Sequence, residues 1–199
     1  MNAHVATLIQ HAGRTLTPAR WQDAALVVVD AQGEYVDGKL RLAGIDAALT
    51  QLAALLDRAR AAHAPVVHIV QDGRPGGLFD PTGPRGAVVP AAAPLPGEPV
   101  LRKPRPNSFS GTDLDFTLRS LGRRDLVLAG FMTHMCISAT ARTALDLGYR
   151  TTIFAPATAT RDLPDASGDG VVPAAAVHRA ALAALADRFA AVVHDPAVV

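Results

Sequence analysis

The chain has 199 residues, with 19 basic and 18 acidic side chains and a formal net charge of +1; the charges are interspersed, so neither a nucleic acid nor a membrane surface is expected as a partner. Hydrophobic residues make up 49%, yet no apolar run reaches spanning length. The first twenty residues, an N-terminal extension carrying His4, His11, Arg14 and Arg20, lack the apolar core of a signal peptide, and the lone cysteine cannot close an internal disulfide, so a soluble cytoplasmic protein is expected.

Taken in chain order, Ala25-Leu26-Val27-Val28-Val29 is continuously apolar, as expected of a strand covered on both faces. Asp30 follows it directly, and Gln32 and Tyr35 lie just beyond. Leu42, Ile45, Leu49, Leu52, Leu55 and Leu56 recur at helical spacing over 41–62, which predicts an amphipathic helix. Residues 65–70 read as a second strand, with Pro65 tolerated at its start. The stretch 72–97 is the long irregular segment, rich in glycine and proline. Loops of that length either serve function or are flexible; this one either covers a site, reaches a neighbouring subunit, or is a mobile surface loop.

A short strand is predicted at 99–101, with Lys103 after it, then a helix over 112–121 and a strand at Leu126-Val127-Leu128-Ala129. Gly130 breaks that strand, and Thr133 is placed to cap a helix over 133–147. Cys136 then falls in the first helical turn, where free N–H groups and the positive dipole end favour a thiolate. A strand at 151–155, a helix near 173–189 and an edge strand at 191–194 complete the chain, with 164–173 only delaying the last helix. Alternating strands and helices imply one α/β domain over 1–199, a doubly wound, mostly parallel sheet with helices on both faces. In such sheets ligands bind beyond the carboxyl ends of the strands. Asp30, Lys103 and Cys136 each stand just after a strand, so the topology brings them to one edge.

Those three residue types suffice for acyl transfer. Cys136 is the candidate nucleophile, and Asp30 can take its proton and hand it to a leaving amine. Lys103 can depress the thiol pKa and orient the carboxylate, and the backbone N–H groups of Met132 and Cys136 are the expected oxyanion hole. Taken singly, each has a plainer reading: a buried inert thiol, a turn-forming aspartate, a solvated lysine. Their joint placement favours the chemistry.

Three ordered blocks carry a resemblance. Val28-Val29-Asp30-Ala31-Gln32, Arg102-Lys103-Pro104-Arg105-Pro106-Asn107-Ser108-Phe109 and Gly130-Phe131-Met132-Thr133-His134-Met135-Cys136 resemble the isochorismatase-like cysteine hydrolases, over most of the chain. The resemblance implies a six-stranded parallel sheet, a catalytic triad of Asp30, Lys103 and Cys136, a cis peptide at Phe131–Met132 and a homo-oligomer. Members that cleave vinyl ethers commonly lack the cysteine. Retaining Cys136 therefore implies hydrolysis of a C–N bond in a small amide, ureide or carbamoyl compound through a thioester.

Nicotinamidases of this superfamily carry an acid-and-histidine cluster after the second strand. Here Gln71-Asp72-Gly73-Arg74-Pro75 has Arg74 where a histidine is expected, so neither a metal nor another cofactor is expected. Arg74 either meets an acidic substrate group or is a solvated loop arginine. Gln32, Tyr35 and Phe109 are candidate substrate-binding residues. His134 is expected to face away from Cys136, and His68 to be a satisfied core histidine; Thr158 and Asp162 lie at the right edge without an assigned role. The competing reading is an altered family member that binds a metabolite or protein partner without turnover. A thiol redox protein would need a resolving cysteine, and a dinucleotide-binding protein would need a glycine-rich turn after the first strand.

Overall fold

The computed structural model describes residues 5–196. Strand β1 (Ala24–Val29) is buried at all six positions, because it is paired on both sides and covered on both faces. Parallel neighbours flank it: β2 (Val66–Gln71), with Val27 opposite Val67, and β4 (Asp125–Phe131), with Val27 opposite Leu128. With β3 (Val100–Lys103), β5 (Arg150–Ala159) and β8 (Ala191–Val193), they form a six-stranded sheet in the order β3-β2-β1-β4-β5-β8. Every neighbouring pair is parallel.

The alternation of β1 divides the core. Ala24, Leu26 and Val28 pack with α2 (Ile45–Ala61), which buries Ile45, Leu49, Leu52, Leu55 and Leu56. Ala25, Val27 and Val29 face the other layer. That layer is built from α3 (Leu114–Ser120), α4 (Ser138–Asp146) and α5 (Ala174–Ala186). No helix among the described residues is long and apolar enough to cross a membrane.

Several boundaries differ from the sequence expectation. β3 runs on to Lys103, which therefore ends a strand instead of following one. β5 continues to Ala159, with its register against β4 shifting between Leu128 and Gly130. The helix expected from Thr133 opens as a π-helical turn, Thr133–Ile137, before α4 begins. Thr133 does not cap it; its hydroxyl donates instead to Ala159 O (3.0 Å). The N-terminal extension holds a short helix, α1 (Leu8–His11), closed by a Thr7–Gln10 capping box. Two-residue strands β6 (Leu163–Pro164) and β7 (Val171–Val172) pair within the segment expected only to delay α5.

The 72–97 stretch is docked along its length. Gly33 N donates to Ala87 O, Glu34 N to Arg85 O and Val89 N to Ala31 O, at 2.9–3.1 Å. Phe79 is buried edge-on against Tyr35, with ring centroids 5.2 Å apart. At Gly86 a Cβ would lie 2.1 Å from Asp80 O, so only glycine fits this crossing of the loop on itself.

Candidate active site

The sheet order reverses between β1 and β4, and at this switch point the carboxyl ends of adjacent strands diverge to leave a crevice. Asp30 leaves β1 in the left-handed region (φ 51°), a conformation aspartate tolerates better than most residues. Gly130 is required beside it: at φ 111° a Cβ would sit 2.0 Å from Val29 O. The Phe131–Met132 peptide is cis, and Cys136 follows in the π turn.

The structure brings Asp30, Lys103 and Cys136 together out of solvent, at 0, 0 and 3% exposure. Lys103 Nζ lies 2.8 Å from Asp30 Oδ2 and 3.4 Å from Cys136 Sγ, and donates to Gln71 Oε1 at 2.7 Å. It thus hydrogen-bonds Gln71 and Cys136 and pairs with the Asp30 carboxylate as an ion. Among the described residues neither Asp30 carboxylate oxygen has a donor in full hydrogen-bonding geometry, so the Lys103 ammonium holds it as an ion pair.

Burial pushes the Asp30 carboxyl up to about 6, against the pull of Lys103. At neutral pH it is a carboxylate of unusually high proton affinity, which suits a general base. Burial, followed by the Asp30 charge, pushes the Cys136 thiol up to about 12, with Lys103 opposing. The expectation of a depressed thiol pKa is therefore corrected. Desolvation outweighs both the cation and the helix terminus, and the resting sulfur carries its proton with a base beside it.

The candidate binding residues separate. Gln32 is a clasp: its Nε2 donates to Gln71 O (3.1 Å) and Gly86 O (2.8 Å), and its Oε1 accepts from Gln71 N (2.8 Å). Its amide is committed to backbone, so the expectation that it binds substrate is corrected. Phe109 is corrected too. It stacks on Tyr149, with centroids 5.6 Å apart, and Tyr149 precedes β5 at the opposite edge of the sheet. Tyr35 is buried between Phe79 and Phe131; burial and the nearby charges of Asp30 and Cys136 keep its phenol protonated.

His134 Nδ1 meets Thr160 Oγ1 at 2.6 Å. His68 is buried in β2, with Nε2 2.9 Å from Glu98, which also pairs with Arg60. Asp162 accepts from Ala174 N (2.8 Å), and Thr158 donates to Ala155 O (2.8 Å) at the irregularity in β5. Asp72 pairs with Arg102 (3.1 Å), and Arg74 is exposed.

Three neighbours escaped the sequence reading. Gln71 holds Lys103. Arg161, half-buried after β5, has a buried Nε without a hydrogen-bond partner among the described residues, and its charge acts on Tyr35 and His134. His178 on α5 meets Thr133 Oγ1 at 2.9 Å. Because that hydroxyl donates to Ala159 O, it accepts from His178 Nδ1, fastening the Cys136 turn to α5. The register that sets Gln71 opposite Lys103 is a signal for Gln71 alone.

Residues 24–195 match the isochorismatase domain. An isochorismatase structure from Pseudomonas putida superimposes with a TM-score of 0.91 at 44% identity, covering 95% of this chain and 96% of that one. A secreted isochorismatase effector of Verticillium dahliae is 38% identical over 176 residues, 88% of this chain and 90% of its own. A ureidoacrylate amidohydrolase of Stutzerimonas stutzeri is 32% identical over 173 residues, 68% of this chain and 69% of its own. With its six-stranded parallel sheet, the chain belongs to the isochorismatase family of hydrolases.

Proposed function

We propose that the protein is a cysteine hydrolase that cleaves a C–N bond of a small amide, ureide or carbamoyl compound, with Asp30, Lys103 and Cys136 as its catalytic residues. The observation that carries this reading is the single ammonium group within reach of both the Asp30 carboxylate and the Cys136 sulfur in a desolvated pocket. The ureidoacrylate amidohydrolase relative lends support from the side of substrate chemistry.

In this mechanism Cys136 Sγ attacks the carbonyl carbon as its proton passes to Asp30, so a free thiolate never has to exist in the dry site. Lys103 lowers the cost of the charge developing on sulfur. The N–H groups of Met132 and Cys136 receive the carbonyl oxygen as it becomes an oxyanion. Collapse breaks the C–N bond, and Asp30 delivers its proton to the departing nitrogen. Water, deprotonated by Asp30, then attacks the thioester; sulfur leaves and recovers the proton. Each step uses groups of the chain itself. Arg161, which forms no ion pair among the described residues and acts electrostatically on Tyr35, suits a substrate that also bears an anionic group.

The test is ammonia release from a panel of small amides, ureides and carbamoyl compounds, with and without a carboxylate. Cys136→Ala should abolish turnover, and intact mass should show an acyl adduct on the wild-type chain. Undiminished turnover in Cys136→Ala would overturn the reading.

A further inference from the structure

At the edge of the sheet opposite Cys136, the segment preceding β1 runs beside the first residues of β4 and β5 and encloses a cleft of about 540 Å³. Four arginines line it, Arg14, Arg20, Arg150 and Arg188, against two acids, Asp23 and Asp125. Asp125 is committed to Arg150, which reaches its two carboxylate oxygens at 2.7 and 2.9 Å, and Asp23 also acts on Arg150. Among the described residues, Arg14, Arg20 and Arg188 form no ion pair.

The rest of the wall is partly apolar, supplied by Leu16, Tyr149 and Phe189. Thr151, which also lines the cleft, is 6% exposed, and its buried hydroxyl has no hydrogen-bond partner among the described residues. Buried hydroxyls are normally satisfied, and each exception requires a reason. The volume falls within the range of small-molecule sites. Guanidinium forks match carboxylate and phosphate oxygens in pairs, while the apolar wall favours a ligand with a hydrocarbon body over a bare inorganic ion.

We propose that this cleft is a second ligand site, built for a small organic anion: a carboxylate or phosphate head, held by Arg14, Arg20 and Arg188, on an apolar body packed against Leu16, Tyr149 and Phe189. It lies at the far end of the strands from Asp30, Lys103 and Cys136, and stands independently of the catalytic reading.

The experiment is calorimetric titration of the full chain with phenyl phosphate, benzoate and inorganic phosphate. It is repeated on Cys136→Ala and on the double variant Arg20→Gln/Arg188→Gln, with thermal melts confirming that both fold. Saturable one-to-one binding of an organic probe is expected, at least about tenfold tighter than inorganic phosphate, corresponding to about 1.4 kcal/mol. The tighter of phenyl phosphate and benzoate identifies the head group. The double variant should weaken binding at least about tenfold, a further 1.4 kcal/mol or so on the same scale, and Cys136→Ala should leave it unchanged. Failure of both organic probes to saturate, equal binding of inorganic phosphate, or full affinity in the double variant would overturn the proposal. Loss of binding in Cys136→Ala would overturn it as well, by placing the probe at the other edge.

Discussion

Gln71 and Lys103 are register partners at the ends of β2 and β3, and their side chains meet at 2.7 Å. The contact aims the Lys103 ammonium between carboxylate and sulfur, because the remaining two N–H groups can then reach Asp30 and Cys136 together. Gln71 is thus a positioning residue in the proposed reaction.

Gln71→Leu should lower kcat/KM by about 10–100-fold, the range set by losing a hydrogen bond to a charged group worth about 1.5–3 kcal/mol. A purely structural role would leave the pH profile in place. With Lys103 less firmly held against Asp30, the acid limb should instead move to higher pH, as a kcat/KM profile would record.

The activity of the wild-type chain should fall about tenfold per pH unit below the Asp30 value and be flat just above it. That places the acid limb of kcat/KM near pH 6, because the base works only when ionised. Stability should respond in the opposite sense. The Asp30 carboxyl binds its proton more tightly in the folded chain than at its ordinary value of 3.8. Its contribution is therefore complete below that value and is lost as the pH rises through about 6. Urea denaturation from pH 4 to 7 should show this decline in the wild type, and Asp30→Asn should remove that part of the slope.

Alkylation separates thiol acidity from catalysis. Burial and the Asp30 charge keep the Cys136 proton in place to about 12, so iodoacetamide should label the resting protein slowly at neutral pH. Asp30→Asn removes the neighbouring negative charge and should speed labelling while turnover is lost. Slower labelling in that variant would contradict the arrangement.

Gly130→Ala tests the switch point without touching a catalytic side chain. The new Cβ would fall 2.0 Å from Val29 O at a φ of 111°. A strained backbone at a close-packed crossing costs about 3 kcal/mol or more. In a chain of this size that lowers the melting temperature by roughly 6–12 °C, and a thermal melt would show it.

Much of the frame could be read directly. β1 is an uninterrupted apolar run, and β2 and β4 are mostly apolar, broken by His68 in β2 and opened by Asp125 in β4, because both faces of a parallel sheet are covered. The same pattern puts Asp30 directly after β1 and Cys136 shortly after its neighbour β4. What escaped depends on relationships that one-dimensional pattern does not carry. Gln71 falls just beyond the strand expected at 65–70, and only the pairing of β2 with β3 sets it opposite Lys103. Gln32 was placed at the right edge, but its amide faces Gly86 and Gln71, and only the docked loop shows that. Phe109 follows Lys103 by six residues in the sequence, yet it stacks on Tyr149, which precedes β5 in the same core layer. The acidity of Cys136 was misjudged because helix position is visible in a sequence and desolvation is not.

The Gln32 clasp bears on how catalytic relatives with different specificity could arise. One amide holds both the end of β2, from which Gln71 reaches Lys103, and Gly86 in the middle of the 72–97 stretch. That stretch behaves as a buttress. Changes of side chain along it can reshape its outer surface freely, whereas a change of length near Gly86 would pull on the peptide that steers the cation. A single glutamine outside the loop therefore couples the loop backbone at Gly86 to the strand end that carries Gln71.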